Sequence, residues 1–136
     1  MLTLSLPTRV FLSTEPADMR KSFDGLAALV QSHLGGDPLS GDLFVFRSRR
    51  GDRVKLLYWL GDGYAIWYRR LEEGTFAFPA LSNSSYERVG PVGLSISAKD
   101  LALLLDGIDL ASVKRRPRYR RDRPRPSQTV DTCRRR

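Results

Sequence analysis

The chain has 136 residues, a length typical of one domain with a single hydrophobic core. It has no apolar run near the roughly 20 residues of a membrane span, and its N-terminus lacks the basic and apolar segments of a secretory signal. The single cysteine, Cys133, cannot form an internal disulfide, and with the single histidine, His33, it offers no zinc site. We therefore expect a cytoplasmic protein with no membrane partner, structural metal or cofactor.

Charge is divided unevenly along this sequence. The formal net charge is +8, yet residues 1–113 contain 12 basic and 13 acidic residues, a net charge of −1. Residues 114–136 contain 11 basic and 2 acidic residues, a net charge of +9, and almost no large apolar side chain. Such a segment cannot bury enough apolar surface to offset the entropy lost on ordering. The sequence predicts one domain over residues 1–113 and a disordered arginine-rich tail over residues 114–136.

The first predicted elements are a short strand and an amphipathic helix. Residues 9–13, RVFLS, have the β-branched and aromatic composition of a strand. A helix is then predicted over residues 14–34, with Thr14 as N-cap and Pro16 in its first turn. Its apolar positions recur at helical spacing, at Met19, Phe23, Leu26, Ala27, Val30 and Leu34. Gly35 and Gly36 predict its end, because glycine adopts the left-handed conformation common after a helix.

A β-meander is predicted next, between residues 42 and 78. The segment RSRRGD and the triplet Gly61-Asp62-Gly63 are typical of turns, and the run before the triplet is apolar enough for a central strand. On the return strand, Tyr64, Ile66 and Tyr68 alternate with Ala65 and Trp67, so one set should lie on each face. The predicted strands cover residues 42–46, 54–60, 64–68 and 75–78.

The remaining part of the domain predicts a loop, a short strand and a second helix. Residues 80–96 lack periodicity except for a strand at 93–96. The helix runs from Ala98 to Asp106, with Ser97 as its cap and Gly107 after its end. The expected fold class is α+β: an antiparallel β-meander sheet, covered on one face by an N-terminal helix and a C-terminal helix, plus a disordered basic tail.

Catalytic chemistry has few candidates in this sequence. His33 is expected on the surface, and Cys133 lies among tail arginines with no residue to position a base. Asp42, Asp52 and Asp62 are placed where aspartate is common in turns. The alternative is a metal-dependent nuclease in which these three carboxylates hold magnesium. The spacing does not place them on one surface, and the sequence predicts no catalytic residue and no metal ligand.

Two basic groups are candidate DNA contacts. The first surrounds a predicted hairpin turn and contains Arg49, Arg50, Arg53 and Lys55. It is either a solvated turn or a tip that touches a phosphate backbone. The second group lies in the tail, where arginine forks suit bidentate phosphate binding. Its candidates are Arg115, Arg116, Arg118, Arg120 and Arg121. An uncommitted extension or an arm that docks on an acidic protein is the alternative.

Several segments carry a family resemblance. They are RVFLSTEPADMRKSFDGLAALV, PLSGDLFVFRSRRGDRVKLLYWLGDGYAIWYRRLEEGTFAFP and LALLLDGIDL. They resemble the accessory-protein family called TnpB, the second reading frame of IS66-type bacterial insertion sequences. The matching motifs include Asp18-Met19-Arg20, Arg49-Arg50-Gly51-Asp52, Gly61-Asp62-Gly63-Tyr64, Trp67-Tyr68 and Arg70-Leu71-Glu72. The family commonly has an acidic residue in place of Leu60 and a tryptophan in place of Phe78.

The resemblance implies a protein encoded beside a separate, larger transposase and needed for efficient transposition. It implies no catalytic residue. Together with the basic groups, it leads to the prediction of a non-catalytic accessory factor in the cytoplasm, associated with the nucleoid. Its expected partners are DNA, at the element ends or without sequence preference, and the transposase. The alternatives are the metal-dependent nuclease and a pure protein–protein adaptor without DNA contact.

Overall fold

The computed structural model describes residues 9–110 and 114–115. Within them the chain forms eight strands and two helices. In chain order these are β1 (Val10–Ser13), α1 (Phe23–Leu34), β2 (Leu43–Arg47), β3 (Arg53–Trp59), β4 (Tyr64–Arg70), β5 (Glu87–Val89), β6 (Gly93–Ile96), α2 (Ala98–Leu105), β7 (Ile108–Asp109) and β8 (Lys114–Arg115).

Six strands form one mixed sheet in the order β4-β3-β2-β1-β6-β5, while β7 and β8 form a separate pair. Strand β1 runs parallel to β2, with Val10 opposite Leu43, and every other neighbouring pair is antiparallel. The α+β class is confirmed, but the prediction of a purely antiparallel sheet is wrong. The crossover through α1 returns the chain to the same end of the sheet, so β2 must run in the direction of β1.

Apolar side chains cover both faces of this sheet. On one face the buried core residues are Val10, Leu12, Leu43, Val45, Val54, Leu56, Phe76, Leu94, Ile96, Leu101 and Leu104. On the other they are Ala17, Leu26, Val30, Leu34, Phe44, Phe46 and Leu57. Helix α2 therefore covers the first face and α1 the second, so the prediction that both helices cover one face is wrong. Strand β2 is buried from Leu43 to Phe46, and alternating side chains then require cover on both faces.

Helix α1 begins at Phe23, well after the predicted start at Thr14. The Asp18 carboxylate accepts the backbone N–H of Arg20, and this local bond competes with a helical turn. The Lys55 ammonium binds the carbonyls of Met19 and Lys21 at 2.8 Å each, so these oxygens are engaged outside any helix. The predicted end is confirmed, because Gly35 has a φ of 60° in the left-handed region.

The second half of the domain follows the prediction in part. The strand at Gly93–Ile96 and the helix at Ala98–Leu105 are confirmed, and the Ser97 hydroxyl accepts the N–H of Asp100 as its cap. Strand β5 was not predicted. The predicted strand at residues 75–78 is absent from the described chain, because Phe76 is buried in the α2-side core and its N–H donates to Gly51 O.

Two remaining predictions are the absence of a membrane span and a disordered tail over residues 114–136. Among the described residues, no helix is both long and apolar enough to cross a bilayer. The predicted disordered tail falls outside the described residues, apart from Lys114–Arg115 in β8.

Candidate nucleic-acid interface

The candidate interface lies at one end of the main sheet, where β1 and β2 both finish. Because these two strands are parallel, the loop after β1 and the turn after β2 meet there. The Ala17 N–H donates to Arg47 O at 2.8 Å and fixes the loop beside the turn. Between the loop residues Pro16–Met19 and the turn residues Ser48–Arg53 is a groove of about 470 Å³. We call Ser48–Arg53 the arginine turn.

Hydrogen bonds hold the arginine turn in one conformation. The buried Ser48 hydroxyl oxygen accepts the N–H groups of Gly51 and Arg53 at 3.2 Å each. The same hydroxyl donates to the Asp52 carboxylate at 3.2 Å. Gly51 has a φ of 82°, which a residue with a side chain rarely adopts, and its carbonyl accepts the N–H of Phe76. The Asp52 carbonyl accepts the N–H of the residue that follows β4. The turn is thus fixed from within and from a neighbouring loop.

Arg49 and Arg50 project from this fixed turn. Both are exposed, and neither has an ion pair or side-chain hydrogen bond among residues 9–110. Two other exposed arginines at the same end are paired: Arg20 with Asp18 at 2.9 Å, and Arg70 with Glu72 at 3.0 Å. The two turn arginines therefore present exposed positive charge at this end that no ion pair among residues 9–110 balances.

The pairing of Arg20 persists across the physiological pH range. Its side-chain hydrogen bonds, followed by its backbone N–H, lower the pKa of Asp18 to about 2, and Asp18 raises the pKa of Arg20 in turn. Asp18 stays ionised, and so paired with Arg20, at any pH above its lowered pKa. The pair is lost only as the pH falls through about 2. At every pH above about 2, the Asp18 carboxylate therefore balances the charge of Arg20, whereas Arg49 and Arg50 have no such partner among the described residues.

The other two predicted contacts in the folded domain differ from these. Arg53 is half-buried, and its guanidinium donates to the Tyr68 hydroxyl at 3.4 Å. Lys55 is only 8% exposed, with its ammonium bound to two carbonyls and placed 4.8 Å from the Tyr68 ring centroid. This ammonium supports the wall of the groove from behind. We therefore leave Lys55 out of the proposed contact set.

The tail candidates fall largely outside the described chain. Arg115 is the second residue of β8, which pairs with β7 through Asp109 and Ile108. The others lie beyond it: Arg116, Arg118, Arg120 and Arg121. Their role stays a prediction from charge.

The structure does not bring the three candidate metal carboxylates together. Asp42 precedes β2 and is paired with Arg9 at 2.9 Å. Asp52 is at the far end of β2, and Asp62 is separated from it by the whole of β3, roughly 20 Å of strand. Among the described residues, no group of three histidine, cysteine, aspartate or glutamate side chains could hold a metal ion.

His33 is half-buried, although it was expected on the surface. Its Nδ1 lies 3.1 Å from the Ser13 hydroxyl oxygen. That hydroxyl is fully buried and also contacts Glu15 O at 3.0 Å. We interpret the pair as a structural contact that ties α1 to the end of β1.

Two features of the interface were not predicted from the sequence. Arg20 and Arg70 belong to motifs that support the family resemblance, but they are distant in sequence from the arginine turn. Only the parallel pairing of β1 with β2 and the position of β4 bring them to the same end. The role of Ser48 was also missed, although a serine that begins a turn is a common local acceptor.

Comparison with known proteins identifies the family. The sequence model described as IS66 Orf2 like protein matches residues 8–115. The chain is 38% identical to y4jC, an uncharacterized protein of Sinorhizobium fredii (strain NBRC 101917 / NGR234), over 86% of this chain and 93% of that protein. It is 37% identical to y4hO, another uncharacterized protein of that strain, over 80% of this chain and 88% of that protein. No solved structure matches. The chain belongs to the IS66 Orf2-like family, which is associated with transposition as an accessory component.

Proposed function

We propose that this chain is a non-catalytic accessory factor of IS66-type transposition, and that it contacts the DNA backbone through Arg49 and Arg50. One observation carries the proposal: two exposed, unpaired arginines project from a turn whose backbone is fixed by the Ser48 hydroxyl. An arginine fork binds a phosphate in a bidentate way. A fixed turn also reduces the entropy that binding must overcome.

The contact supplied by this turn is expected to be independent of DNA sequence. Phosphate contacts position a protein on the duplex, and base-edge contacts give specificity. The neighbouring acidic groups Asp18 and Asp52 restrict where a phosphate can approach, because they line the same groove. A phosphate is therefore expected at the outer rim, beside Arg49 and Arg50, rather than deep in the groove. The tail adds a second cationic segment with the same preference for phosphate.

The binding test is a comparison of two double variants in the full-length protein. Arg49→Ala with Arg50→Ala should weaken binding to short duplexes roughly tenfold, equally for element-end and random sequences. The matched control is Arg88→Ala with Lys99→Ala, which removes the same charge from exposed positions on β5 and α2. The control should bind like the wild type. Equal affinities for both double variants would refute the contact at the turn.

A cellular assay connects that contact with transposition. The frequency of element movement should fall with the Arg49→Ala, Arg50→Ala variant and should be restored in part by Arg49→Lys with Arg50→Lys, which keeps the charge. Lysine provides a point charge in place of the bidentate fork, so incomplete restoration is expected. Normal movement with both arginines removed would contradict the proposed role.

The separate transposase is the second proposed partner. Family membership supports it, and the end of the sheet opposite the arginine turn offers a candidate surface around Leu60, which is 63% exposed and stands where the family commonly has an acidic residue. The half-buried Trp59 ring lies beside it and packs edge to face on Tyr64. Both partners could then bind at once. A transposase pull-down that survives nuclease treatment and is lost in Leu60→Arg, which opposes both the leucine here and the acidic residue common in the family, would support this arrangement. A pull-down that nuclease abolishes would show that DNA alone joins the two proteins.

A further inference from the structure

The outer edge of β4 is the longest unpaired strand edge in the described chain. Strand β4 pairs with β3 along all seven residues from Tyr64 to Arg70. On its other side no strand pairs with it among residues 9–110 and 114–115. The strand at the opposite edge of the sheet, β5, has three residues. Long edges without proline or a bulge pair readily with another strand, and β4 has neither.

The register with β3 fixes which backbone groups face outward. The Leu60 N–H donates to Gly63 O at 2.9 Å, and the Leu71 N–H donates to Asp52 O at 2.7 Å. Hydrogen-bonded pairs alternate along an antiparallel ladder. Leu60–Gly63 and Asp52–Leu71 are therefore hydrogen-bonded pairs at the two ends of the ladder. Counting every second residue of β4 from either pair, the N–H and C=O groups of Ala65, Trp67 and Arg69 face β3. Those of Tyr64, Ile66, Tyr68 and Arg70 therefore face outward.

We infer that this edge pairs with the β4 edge of a second copy of the chain, antiparallel and with a two-fold axis at Ile66. In that register Ile66 lies opposite its symmetry mate, and Tyr64 lies opposite Tyr68 of the second copy. The small Ala65 lies opposite the large Trp67. The outward-facing groups of both strands then match, giving about six interchain hydrogen bonds.

Charge favours this register over the one centred on Trp67. Asp62, just before β4, lies opposite Arg70 of the second copy, and the two-fold axis repeats that pair at the other end. The register centred on Trp67 would place Asp62 opposite Glu72 instead, which is repulsive. Arg70 already contacts Glu72 at 3.0 Å, and its guanidinium has further N–H donors for Asp62.

The side chains along this edge fit a second copy. Tyr68 is 48% exposed, Ile66 and Tyr64 are half-buried, and the 43% exposed Phe23 stacks on Tyr64 with ring centroids 6.4 Å apart. Pairing would bury this apolar strip on both copies. Because the two β4 strands run in opposite directions, the two arginine turns lie at opposite ends of the joined sheet.

The test is the mass of the full-length protein in solution, after nuclease treatment and at about 0.15 M salt. The wild type should be a dimer at micromolar concentrations. Ile66→Pro should raise the dissociation constant of the dimer about a hundredfold. Proline removes an outward-facing N–H and leaves the hydrogen bonds between β4 and β3 intact. Its melting temperature and circular dichroism check that the variant folds. A monomeric wild type, or a folded Ile66→Pro variant that remains dimeric, would overturn the inference.

A charge-exchange cycle tests the register and does not depend on that proline. Asp62→Arg and Arg70→Asp should each weaken the dimer about tenfold, and the double variant should recover most of the loss. Glu87→Arg, on β5, makes the same change in charge as Asp62→Arg at a remote exposed site and should have no effect. Independent effects, with no recovery in the double variant, would refute the pairing centred on Ile66.

Discussion

The two hairpin turns of the main sheet have similar sequences and different surroundings. The arginine turn between β2 and β3 is fixed by the Ser48 hydroxyl and by backbone bonds from the loop after β4. The turn between β3 and β4, Leu60–Gly63, is closed by one backbone bond from Leu60 to Gly63 O. A Cβ built at Gly61 would meet nothing within 4 Å. Both turns contain glycine and aspartate, but only the arginine turn is also held by contacts with residues outside the turn, and these fix the backbone that carries Arg49 and Arg50.

The largest effect is expected behind the arginine turn, at Lys55. Lys55→Met keeps the apolar stem but leaves the carbonyls of Met19 and Lys21 without their charged donor. We expect a loss of about 2–4 kcal/mol in the free energy of unfolding. The control Lys99→Met, at an exposed position of α2, should stay within about 0.5 kcal/mol of the wild type. Denaturant unfolding measures both, and equal values would show that the Lys55 contacts do not support the groove.

A smaller effect separates the two turns directly. Ser48→Ala removes one acceptor from two N–H groups in a buried position and should cost about 1–3 kcal/mol. Both variants are made in the Ile66→Pro background, which removes the proposed pair of Asp62 with a second copy. There Asp62→Ala in the other turn should change stability by no more than about 0.5 kcal/mol, because Asp62 is exposed and makes no side-chain hydrogen bond within the described chain. Thermal unfolding would distinguish them. Equal losses would mean that the arginine turn is no more firmly held than the other.

The smallest difference is expected between the two glycines. Gly51 and Gly61 have φ angles of 82° and 96°, so alanine at either position should cost about 1–2 kcal/mol in backbone strain. At Gly51 the added methyl group would lie 3.4 Å from the Thr75 side chain, an ordinary contact that adds little. The two losses should therefore agree within about 0.5 kcal/mol. A much larger loss at Gly51 would show that tight packing, in addition to φ, restricts this position.

Local patterns predicted most of the strands and turns. The alternation in Tyr64–Tyr68 and the apolar run before it correspond to β4 and β3, and Ser97 caps α2 as predicted. Trp67 packs against the α2-side core as expected, but it is half-buried because β4 forms the edge of the sheet. A strand's own sequence does not say whether it will have one neighbour or two.

Nonlocal pairing could not be predicted in the same way. The segment RVFLS indicates a strand, but nothing in it indicates a parallel neighbour. The residues after it have a helical pattern. In the fold, however, Lys55, which is distant in sequence, donates hydrogen bonds to the carbonyls of Met19 and Lys21. The candidate site shows the same division. Arg49 and Arg50 were predicted because one turn holds both, whereas the neighbouring Arg20 and Arg70 depend on the sheet topology.

The tail provides a second comparison with the arginine turn, because residues 114–136 carry a net charge of +9. Replacing Arg118, Arg120 and Arg121 with Gln should reduce the salt dependence of DNA binding by about 2–3 in the slope of log affinity against log salt. The melting temperature should not change. An unaltered slope would favour the alternative of an uncommitted extension or a protein-docking arm.

The most direct test of the DNA contact is the same salt titration on the arginine turn. Each phosphate neutralised contributes about −0.9 to the slope of log affinity against log salt. Wild type and Arg49→Ala, Arg50→Ala should therefore differ in slope by about 2, with the same melting temperature and no dependence on DNA sequence. Identical slopes in the two proteins would contradict the claim that these two arginines contact the phosphate backbone.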